Sequence, residues 1–262
     1  MKTLLKLAIE AAIYAGAEIM NIYSDSFEVT LKQDDSPLTI ADEHANAIIN
    51  SYLQKTAIPI ISEENKQIPY EIRKDWDMCW MVDPLDGTKE FVKRNGEFTV
   101  NIALIKNNKP VLGVIYVPET KTVYYALVSN NKAYKAELDT HKFTDAIFIN
   151  STELVPQKEF GNQIKIVGSR SHKSEATTNF IKNLEAQGHD IRLVSKGSSL
   201  KFCLVAQGEA NIYPRFAPTM EWDTAAGHAI CNAVGLKVRH VDKNDELQYN
   251  KEDLLNPYFI VQ

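Results

Sequence analysis

The sequence is poor in the residues that build stapled or metal-knotted folds: 262 residues carry only 3 cysteines and 6 histidines. Cys79, Cys203 and Cys231 are odd in number, widely spaced and each set in an apolar run. That excludes a disulfide scaffold and reads as buried, reduced thiols. No CxxC pair or Cys/His cluster offers a zinc site. Repeats, low-complexity tracts and Gly/Ser-rich linkers are absent from the sequence, which excludes solenoid, collagen-like and disordered classes. Basic charge is in deficit as well, with 29 Lys plus Arg against 34 Asp plus Glu and a net charge of −5. Proteins that coat nucleic acid neutralise phosphates with a basic stripe. None is present, so any phosphate recognition must be local. Long hydrophobic runs are missing too: no window approaches the roughly 18 uncharged apolar residues of a membrane span. Residues 1–20 resemble a signal peptide at first sight, yet Glu10 and Glu18 interrupt them, and Leu5, Ile9, Ile13 and Met20 recur at helical spacing. They form an amphipathic first helix. The cytoplasm is the expected location.

What is present is ordinary globular composition, 44% hydrophobic and 24% charged. At about 150 residues per domain, the length suits one large domain or two intimate halves. Thr39 with Asp42 three residues on opens a helix whose apolar face carries Ala45, Ile48, Ile49 and Leu53. A short strand at 58–62 follows. Segments 78–82, 99–105, 111–117, 122–128 and 132–135, joined by Asn, Lys and Pro turns, predict an antiparallel meander. From about 164 the pattern alternates: strand 164–167, helix 173–187, strand 191–194, helices 198–208 and 223–235, strand 236–241. Gly208 and Gly235 fit the C′ positions that end helices. Polar residues and Pro156 interrupt the periodicity between 145 and 161, placing a break between an N-terminal half, 1–150, and a C-terminal half, 151–262.

Chemistry concentrates where apolar strands end in acids. In Trp80-Met81-Val82-Asp83-Pro84-Leu85-Asp86-Gly87-Thr88 a strand runs into a turn carrying two carboxylates. Pro84 fixes φ and Gly87 permits close backbone approach, so both carboxylates can converge on one side. The alternative is a turn that merely caps its own backbone. Ile60-Ile61-Ser62-Glu63-Glu64 is a second strand ending in acids, which taken alone also suits a solvated loop. Asp223 begins a helix rich in small residues, where an N-cap aspartate is the bland reading. Lys32 to Thr39 contains Asp34 and Asp35 in an extended turn. Together Glu63, Asp83, Asp86 and Asp223 offer oxygen donors without His or Cys, a set for a hard cation that keeps some water, pointing to magnesium. Acidic ligands, a Gly-Thr after the turn and nearby lysines suit metal-assisted attack of water on a phosphate monoester.

Asp83-Pro84-Leu85-Asp86-Gly87-Thr88, Glu63-Glu64 and Trp222-Asp223-Thr224-Ala225-Ala226-Gly227, in that spacing, resemble the lithium-sensitive, magnesium-dependent inositol monophosphatase superfamily. Within it, Lys89-Glu90-Phe91, the run from Asn95 to Leu104, Gly168-Ser169-Arg170-Ser171-His172 and Tyr213-Pro214-Arg215 are similar to the bacterial 3′(2′),5′-bisphosphate nucleotidases. The resemblance covers essentially the whole chain. It implies an α/β (α+β) fold, a layered αβαβα sandwich of the inositol monophosphatase or fructose-1,6-bisphosphatase type, with the site where the halves meet.

By the same resemblance, Glu63, Asp83, Asp86, Asp223 and the Leu85 carbonyl hold two or three magnesium ions. Gly87 and Thr88 meet the phosphate, and Asp34 partners the Thr88 hydroxyl to polarise the attacking water. Glu64, Asp35 and Asp42 are lesser candidates. His172, Ser198, Lys201 and Arg215, with Lys89, cradle the nucleotide. Three of them also have a plainer role: Ser198 as an N-cap, Lys201 on a solvated face, His172 as a structural cap; Arg215, after a strand and Pro214, is less easily dismissed. Trp222 reads as core or pocket wall. The implied reaction removes the 3′-phosphate of adenosine 3′,5′-bisphosphate, or of 3′-phosphoadenylyl sulfate, in sulfur assimilation and nucleotide recycling. The implied partner is thus a small nucleotide bisphosphate, not a nucleic acid polymer. No integral membrane segment is expected, and a peripheral contact at the inner membrane has no visible anchor. Rival readings are an inositol monophosphatase, a fructose bisphosphatase and a non-catalytic divalent-ion-binding module. An intact Asp34 and Thr88 pair speaks against the last.

Overall fold

The computed structural model describes residues 1–24, 29–31, 37–157, 161–168 and 174–262. In chain order come α1 (Lys2–Ser24), β1 (Val29–Leu31), β2 (Pro37–Thr39), α2 (Ile40–Leu53), β3 (Ile60–Ser62), α3 (Tyr70–Arg73), β4 (Met78–Asp86), α4 (Thr88–Val92), β5 (Thr99–Lys106), β6 (Lys109–Val117), β7 (Thr122–Leu127), β8 (Lys132–Glu137), α5 (Ala146–Ile149) and β9 (Thr152–Glu153). Then follow β10 (Gln163–Gly168), α6 (Glu175–Ala186), β11 (Asp190–Ser195), α7 (Leu200–Ala206), β12 (Tyr213–Arg215), α8 (Glu221–Ala233), β13 (Val238–His240) and β14 (Phe259–Val261).

Strand alternation builds the layers. The first sheet runs β3-β4-β5-β6-β7-β8-β9, antiparallel throughout except that β3 lies parallel to β4. Trp80, Val82, Ile102 and Leu104 point to one face and pack with Ile9, Ile13, Ala45 and Ile49 of α1 and α2. Met81, Ala103 and Ile115 point to the other and pack with Phe202 of α7 and Ala226 and Ile230 of α8. Each fully buried aliphatic side chain contributes roughly 1.5–3 kcal/mol. The same period of two organises the C-terminal strands, where β10 pairs parallel with β11 and β14 lies between β12 and β13. A parallel bridge from Ile166 to Ile212 links the two groups. Val167, Phe259 and Val261 face α7 and α8. Ile164, Ile166 and Ile260 face Phe180, Ile181 and Leu184 of α6. The order is therefore α1/α2, sheet, α7/α8, sheet, α6, the αβαβα sandwich expected.

Helix α8 lies directly on the first sheet, because a Cβ at Gly113 would stand 2.3 Å from the Ala226 carbonyl oxygen. That contact explains why the helix carries Ala226 and Ala229 on its sheet side, while Gly227 makes room for Phe202 of α7. Gly208 and Gly235, at φ +78° and +82°, end α7 and α8 as the C′ reading expects. Two expectations shift. Strand β4 continues to Asp86 instead of stopping near 82, and α7 begins at Leu200 with Ser199 as its N-cap position. Ser198, expected to open that helix, instead adopts φ +46°. All three cysteines are free and buried. Among the described residues, no helix is long and apolar enough to cross a membrane.

Candidate active site

The acidic turn is made by a bulge. Asp83 pairs with Asn101 and Asp86 with Thr99, so Pro84 and Leu85 together stand opposite Val100 alone. Residues three apart on a regular strand point to opposite faces. One extra residue cancels that inversion, and both carboxylates emerge on the α8 side, as do Thr99 and Asn101. Pro84, which has no N–H for a ladder, is tolerated at such a point. Leu85 turns to the α1/α2 core, while its N–H donates to Asp83 Oδ1 at 3.1 Å and its carbonyl accepts from Thr88 Oγ1 at 3.4 Å. Gly87 follows at φ +94°, where a Cβ would also come within 3.2 Å of the Glu97 carbonyl. Only glycine suits both the dihedral and the space.

Two further acids converge from neighbouring elements. Glu63 extends β3 beside β4, its N–H bonded to the Val82 carbonyl at 3.2 Å. Its turn is stapled to α2 by amides. Ser62 Oγ donates to Asn46 Oδ1 at 2.8 Å, and Asn46 and Asn50 each donate to Asn65 Oδ1 at 3.0 Å. Asp223 is not the N-cap of α8; that position is Met220. Asp223 sits one turn in, its carboxylate accepting from the Met220 N–H at 2.9 Å. Asp42 is fully buried within α2.

Electrostatics mark these groups as a unit. Burial, then the charges of Glu63, Asp86, Asp223 and Asp42, push the Asp83 carboxyl well above its ordinary range. Asp223 is raised by burial and by Asp86 and Glu63. Asp86 is raised by burial, against the opposing pull of Lys201 and of bonds from the Ser199 N–H, the Ser198 hydroxyl and Asn101. Among the described residues, no three His, Cys, Asp or Glu side chains form a closed ion cage. What the four carboxylates share is a mutual repulsion that a cation between them would remove. An all-oxygen donor set of this kind fits magnesium.

Two adjoining cavities open on the turn. One, of about 360 Å³, is walled by Glu63, Asp83, Leu85 and Thr88. The other, of about 230 Å³, is walled by Ser198, Lys201, Tyr213 and Arg215. Asp86, Gly87, Lys89, Glu90, Thr219 and Asp223 line both. Lys201 is not on a solvated face: it is 4% exposed. Its Nζ donates to the Ser198 and Lys196 carbonyls, and burial pushes its pKa down to about 8 against the pull of Asp86. Arg215 donates from Nε to the Ala217 carbonyl at 3.2 Å and from Nη2 to the Pro218 carbonyl at 3.0 Å. Lys89 stands exposed at the rim. Trp222 packs into the core, and Glu64 lines neither cavity. Asp34, Asp35 and His172 lie outside the described residues. Sequence reasoning did not single out Thr99, Asn101 and Ser199 as site residues, although two polar side chains at alternate positions of the apolar strand Thr99–Lys106 were the available signal.

The sequence matches the family model "Inositol monophosphatase family" over residues 1–261. The chain belongs to the inositol monophosphatase family. Among members of the family, the 3′(2′),5′-bisphosphate nucleotidase CysQ of Salmonella typhimurium is 44% identical, spanning 98% of this chain and 99% of its own length. The protein of the same name from Escherichia coli K12 is 42% identical over 94% of each. The crystal structure of CysQ from Bacteroides thetaiotaomicron superposes with a TM-score of 0.90 at 47% identity, covering 100% of this chain and 97% of that one. The inositol monophosphate-bound SaIMPase-II shares the family fold, with a TM-score of 0.74 at 20% identity over 99% and 88% of the two chains. Inositol monophosphatase family members generally use magnesium, as the oxygen-only donor set here would suit.

Proposed function

We propose that this chain is a magnesium-dependent 3′(2′),5′-bisphosphate nucleotidase that hydrolyses the 3′-phosphate of adenosine 3′,5′-bisphosphate to AMP and phosphate. The observation that carries the reading is the pair of cavities sharing the Asp86-Gly87 turn, to which one adds the carboxylates of Glu63 and Asp83 and the other the cations of Lys201 and Arg215. A bisphosphate has two anionic ends with different fates, and the two cavities offer two different receptions. The Salmonella typhimurium and Escherichia coli relatives, 44% and 42% identical, carry the name of this activity.

At the acidic end, Glu63, Asp83, Asp86, Asp223 and the Leu85 carbonyl would hold two or three magnesium ions. When bound, magnesium supplies Lewis-acid polarisation of the phosphate and a more acidic water. The remaining work falls to the chain. Gly87 and Thr88, at the start of α4, orient the phosphate for in-line attack. The Thr88 hydroxyl, on a long bond to the Leu85 carbonyl, exchanges it for the attacking water, with Asp34 as the partner that receives the proton. At the cationic end, Lys201 and Arg215, aided by Ser198 and His172, bind the 5′-phosphate, and Lys89 guards the rim. That phosphate is not cleaved, so its contacts exist equally in ground and transition states and act through binding.

3′-Phosphoadenylyl sulfate presents the same 3′-phosphate with an anionic group at the 5′ end and is a second substrate on this reading. Both place the enzyme in sulfur assimilation and nucleotide recycling, in the cytoplasm. An inositol monophosphatase would bring one phosphate and leave Lys201 and Arg215 facing no anion. The test is phosphate release from adenosine 3′,5′-bisphosphate and inositol 1-phosphate side by side, with magnesium and with chelator. Preferential turnover of the bisphosphate is expected. Preference for inositol phosphate overturns the substrate assignment, and magnesium binding without turnover of either would mark an ion-binding module.

A further inference from the structure

The loop at 196–199, whose Gly197 and Ser198 line the second cavity, is pinned by β5 and the residues that lead into it. Phe98, Val100 and Ile102 turn to the α1/α2 core, so Glu97, Thr99 and Asn101 face the other way. Glu97 Oε2 accepts from the Gly197 N–H at 2.8 Å, and Glu97 Oε1 accepts from the Lys196 ammonium at 3.3 Å. Thr99 Oγ1 lies 2.6 Å from Ser198 Oγ and 2.8 Å from Ser199 Oγ, and Ser199 Oγ donates to Asn101 Oδ1 at 2.7 Å. Glu97 is 7% exposed and lines neither cavity.

The Lys196–Gly197 peptide is trans, so its N–H and its carbonyl point in opposite directions. The N–H goes to Glu97. The carbonyl, on the other side, accepts from Lys201 Nζ at 3.3 Å. Carboxylate, peptide dipole and ammonium thus stand in favourable order. An ammonium carries three hydrogens. The Lys196 and Ser198 carbonyls take two from Lys201, and the direction of the third follows from theirs. Glycine at 197 is a demand of space, because a Cβ there would stand 2.9 Å from both Glu90 Cγ and the Glu97 carbonyl oxygen. Glycine also leaves the backbone free to turn over, and a peptide so turned would present its N–H to the ammonium. The Glu97 carboxylate removes that freedom.

We propose that Glu97 is a positioning residue that aims the Lys201 ammonium, through the Lys196–Gly197 peptide, at the anion held in the second cavity. Its contribution is to binding the uncleaved end of the substrate, and so to preference for a bisphosphate over a monophosphate. The inference rests on the assignment of that cavity as the site of the 5′-phosphate. Glu97 touches no substrate atom on this account; its whole effect passes through Lys201.

The experiment is a double-mutant cycle between Glu97→Ala and Lys201→Met, read as KM and kcat for adenosine 3′,5′-bisphosphate and for adenosine 3′-monophosphate, with magnesium. Lys201→Met removes a charge-assisted contact and should cost on the order of ten- to a hundredfold in KM for the bisphosphate. Glu97→Ala should cost part of that, about five- to tenfold, with kcat nearly unchanged and a much smaller effect on the monophosphate. In the Lys201→Met background the same substitution should add less than about twofold, since residues that act through one contact are not additive. Glu97→Gln keeps an acceptor for the Gly197 N–H and should restore most of the affinity. If Glu97→Ala fails to melt cooperatively, Gly197→Ala displaces the same peptide and should give the same pattern. An equal loss on both substrates, or a loss undiminished in the Lys201→Met background, overturns the positioning role and leaves the nucleotidase reading intact. A Lys201→Met enzyme that turns over the bisphosphate with the wild-type KM overturns the cavity assignment and the inference with it.

Discussion

Arg215→Ala is the sharpest test of the substrate assignment, because the structure gives this side chain two separable duties. Its guanidinium already donates to the Ala217 and Pro218 carbonyls, which orients the fork toward the cavity it lines. Of the five N–H donors on the group, a phosphate would take a further parallel pair. A charge-assisted contact contributes about 1.5–3 kcal/mol, and each 1.4 kcal/mol is a factor of about ten. Arg215→Ala should therefore lower kcat/KM on adenosine 3′,5′-bisphosphate on the order of ten- to a hundredfold, most of it as a higher KM. The two lost carbonyl bonds are half-exposed and cost about 1 kcal/mol each in stability. For a chain of this size that is a fall in Tm of about 2–4 °C per kcal/mol. Arg215→Lys should keep the charge, lose the fork and fall between. The decisive control is adenosine 3′-monophosphate, which lacks the 5′ group: wild type and variant should turn it over at nearly equal kcat/KM. An equal loss on both substrates would mean that Arg215 supports the Ala217-Pro218 segment or the metal end, and the case for a second phosphate subsite would fall.

Asp83→Asn should lower turnover by several orders of magnitude, yet in EDTA it should melt above the wild type. The sign follows from the raised Asp83 pKa: the folded protein holds this proton more tightly than the unfolded chain, so stability falls as pH rises from the usual carboxylate range through the raised value, and at neutral pH the charge is a cost. Magnesium at a hundred times its Kd should stabilise the wild type by about 2.7 kcal/mol and the variant by clearly less; equal melting curves in EDTA would remove the repulsion argument. Chelator should abolish activity and magnesium restore it, with calcium a poor substitute; full turnover in EDTA would contradict the metal mechanism. Gly113→Ala should cost about 1–3 kcal/mol by overpacking, since the new methyl would press on the Ala226 carbonyl, and should also impair turnover by displacing the helix that carries Asp223; a full-activity, full-stability variant would show that the helix can yield. Acid should destabilise the fold through His228 and Glu246. His228 is buried and held below its usual pKa, so the unfolded chain takes its proton first as pH falls past about 6.5. Glu246 is held low by His228 Nε2 at 3.5 Å and by bonds from Lys237 and Asn232, stability that is present above the ordinary carboxylate range and lost as pH falls from there toward the lowered value. His228→Gln should flatten the decline in Tm between pH 7.5 and 5.5, and an unchanged slope would refute the assignment.

Much of this architecture was readable because it depends on short periods. Ile9 and Ile13 at helical spacing point to α1, and short apolar runs separated by Asn, Lys and Pro turns point to β5 through β8. The Asp83-to-Thr88 turn was recognisable by its own composition. What escaped was what depends on distant partners. Strand β4 was expected to stop before Pro84, because proline normally ends a ladder; the bulge that carries the strand on to Asp86 exists only by pairing with β5. Ser198 looked like a helix start because Ser precedes an apolar run, but its partner Thr99 lies on another strand and the cap position passes to Ser199. Asp223 reads as an N-cap from the sequence alone, because Met220, which begins the helix, has no side chain that signals a cap. Lys201, open to reading as solvated by its charge alone, is buried because α7 forms a wall of the second cavity and its Nζ turns back to the Lys196 and Ser198 carbonyls. No local pattern encodes these meetings, which arise from the packing of one half of the sequence on the other.

The Pro84-Leu85 bulge also sets a limit on how this protein can change. A substitution on either side of it alters one side chain, whereas deleting one residue between Asp83 and Asp86 would return the strand to regular alternation. Asp83 and Asp86, then two apart, would still share a face, but the bulge that sets the Leu85 carbonyl against the Thr88 hydroxyl and carries the chain into Gly87 would be gone. The number of residues in this stretch is thus constrained more tightly than their identity. A deletion and insertion scan along β4 should show an abrupt loss at this single interval, while the loops at Asn107-Asn108 and Glu119-Thr120 tolerate a change of length.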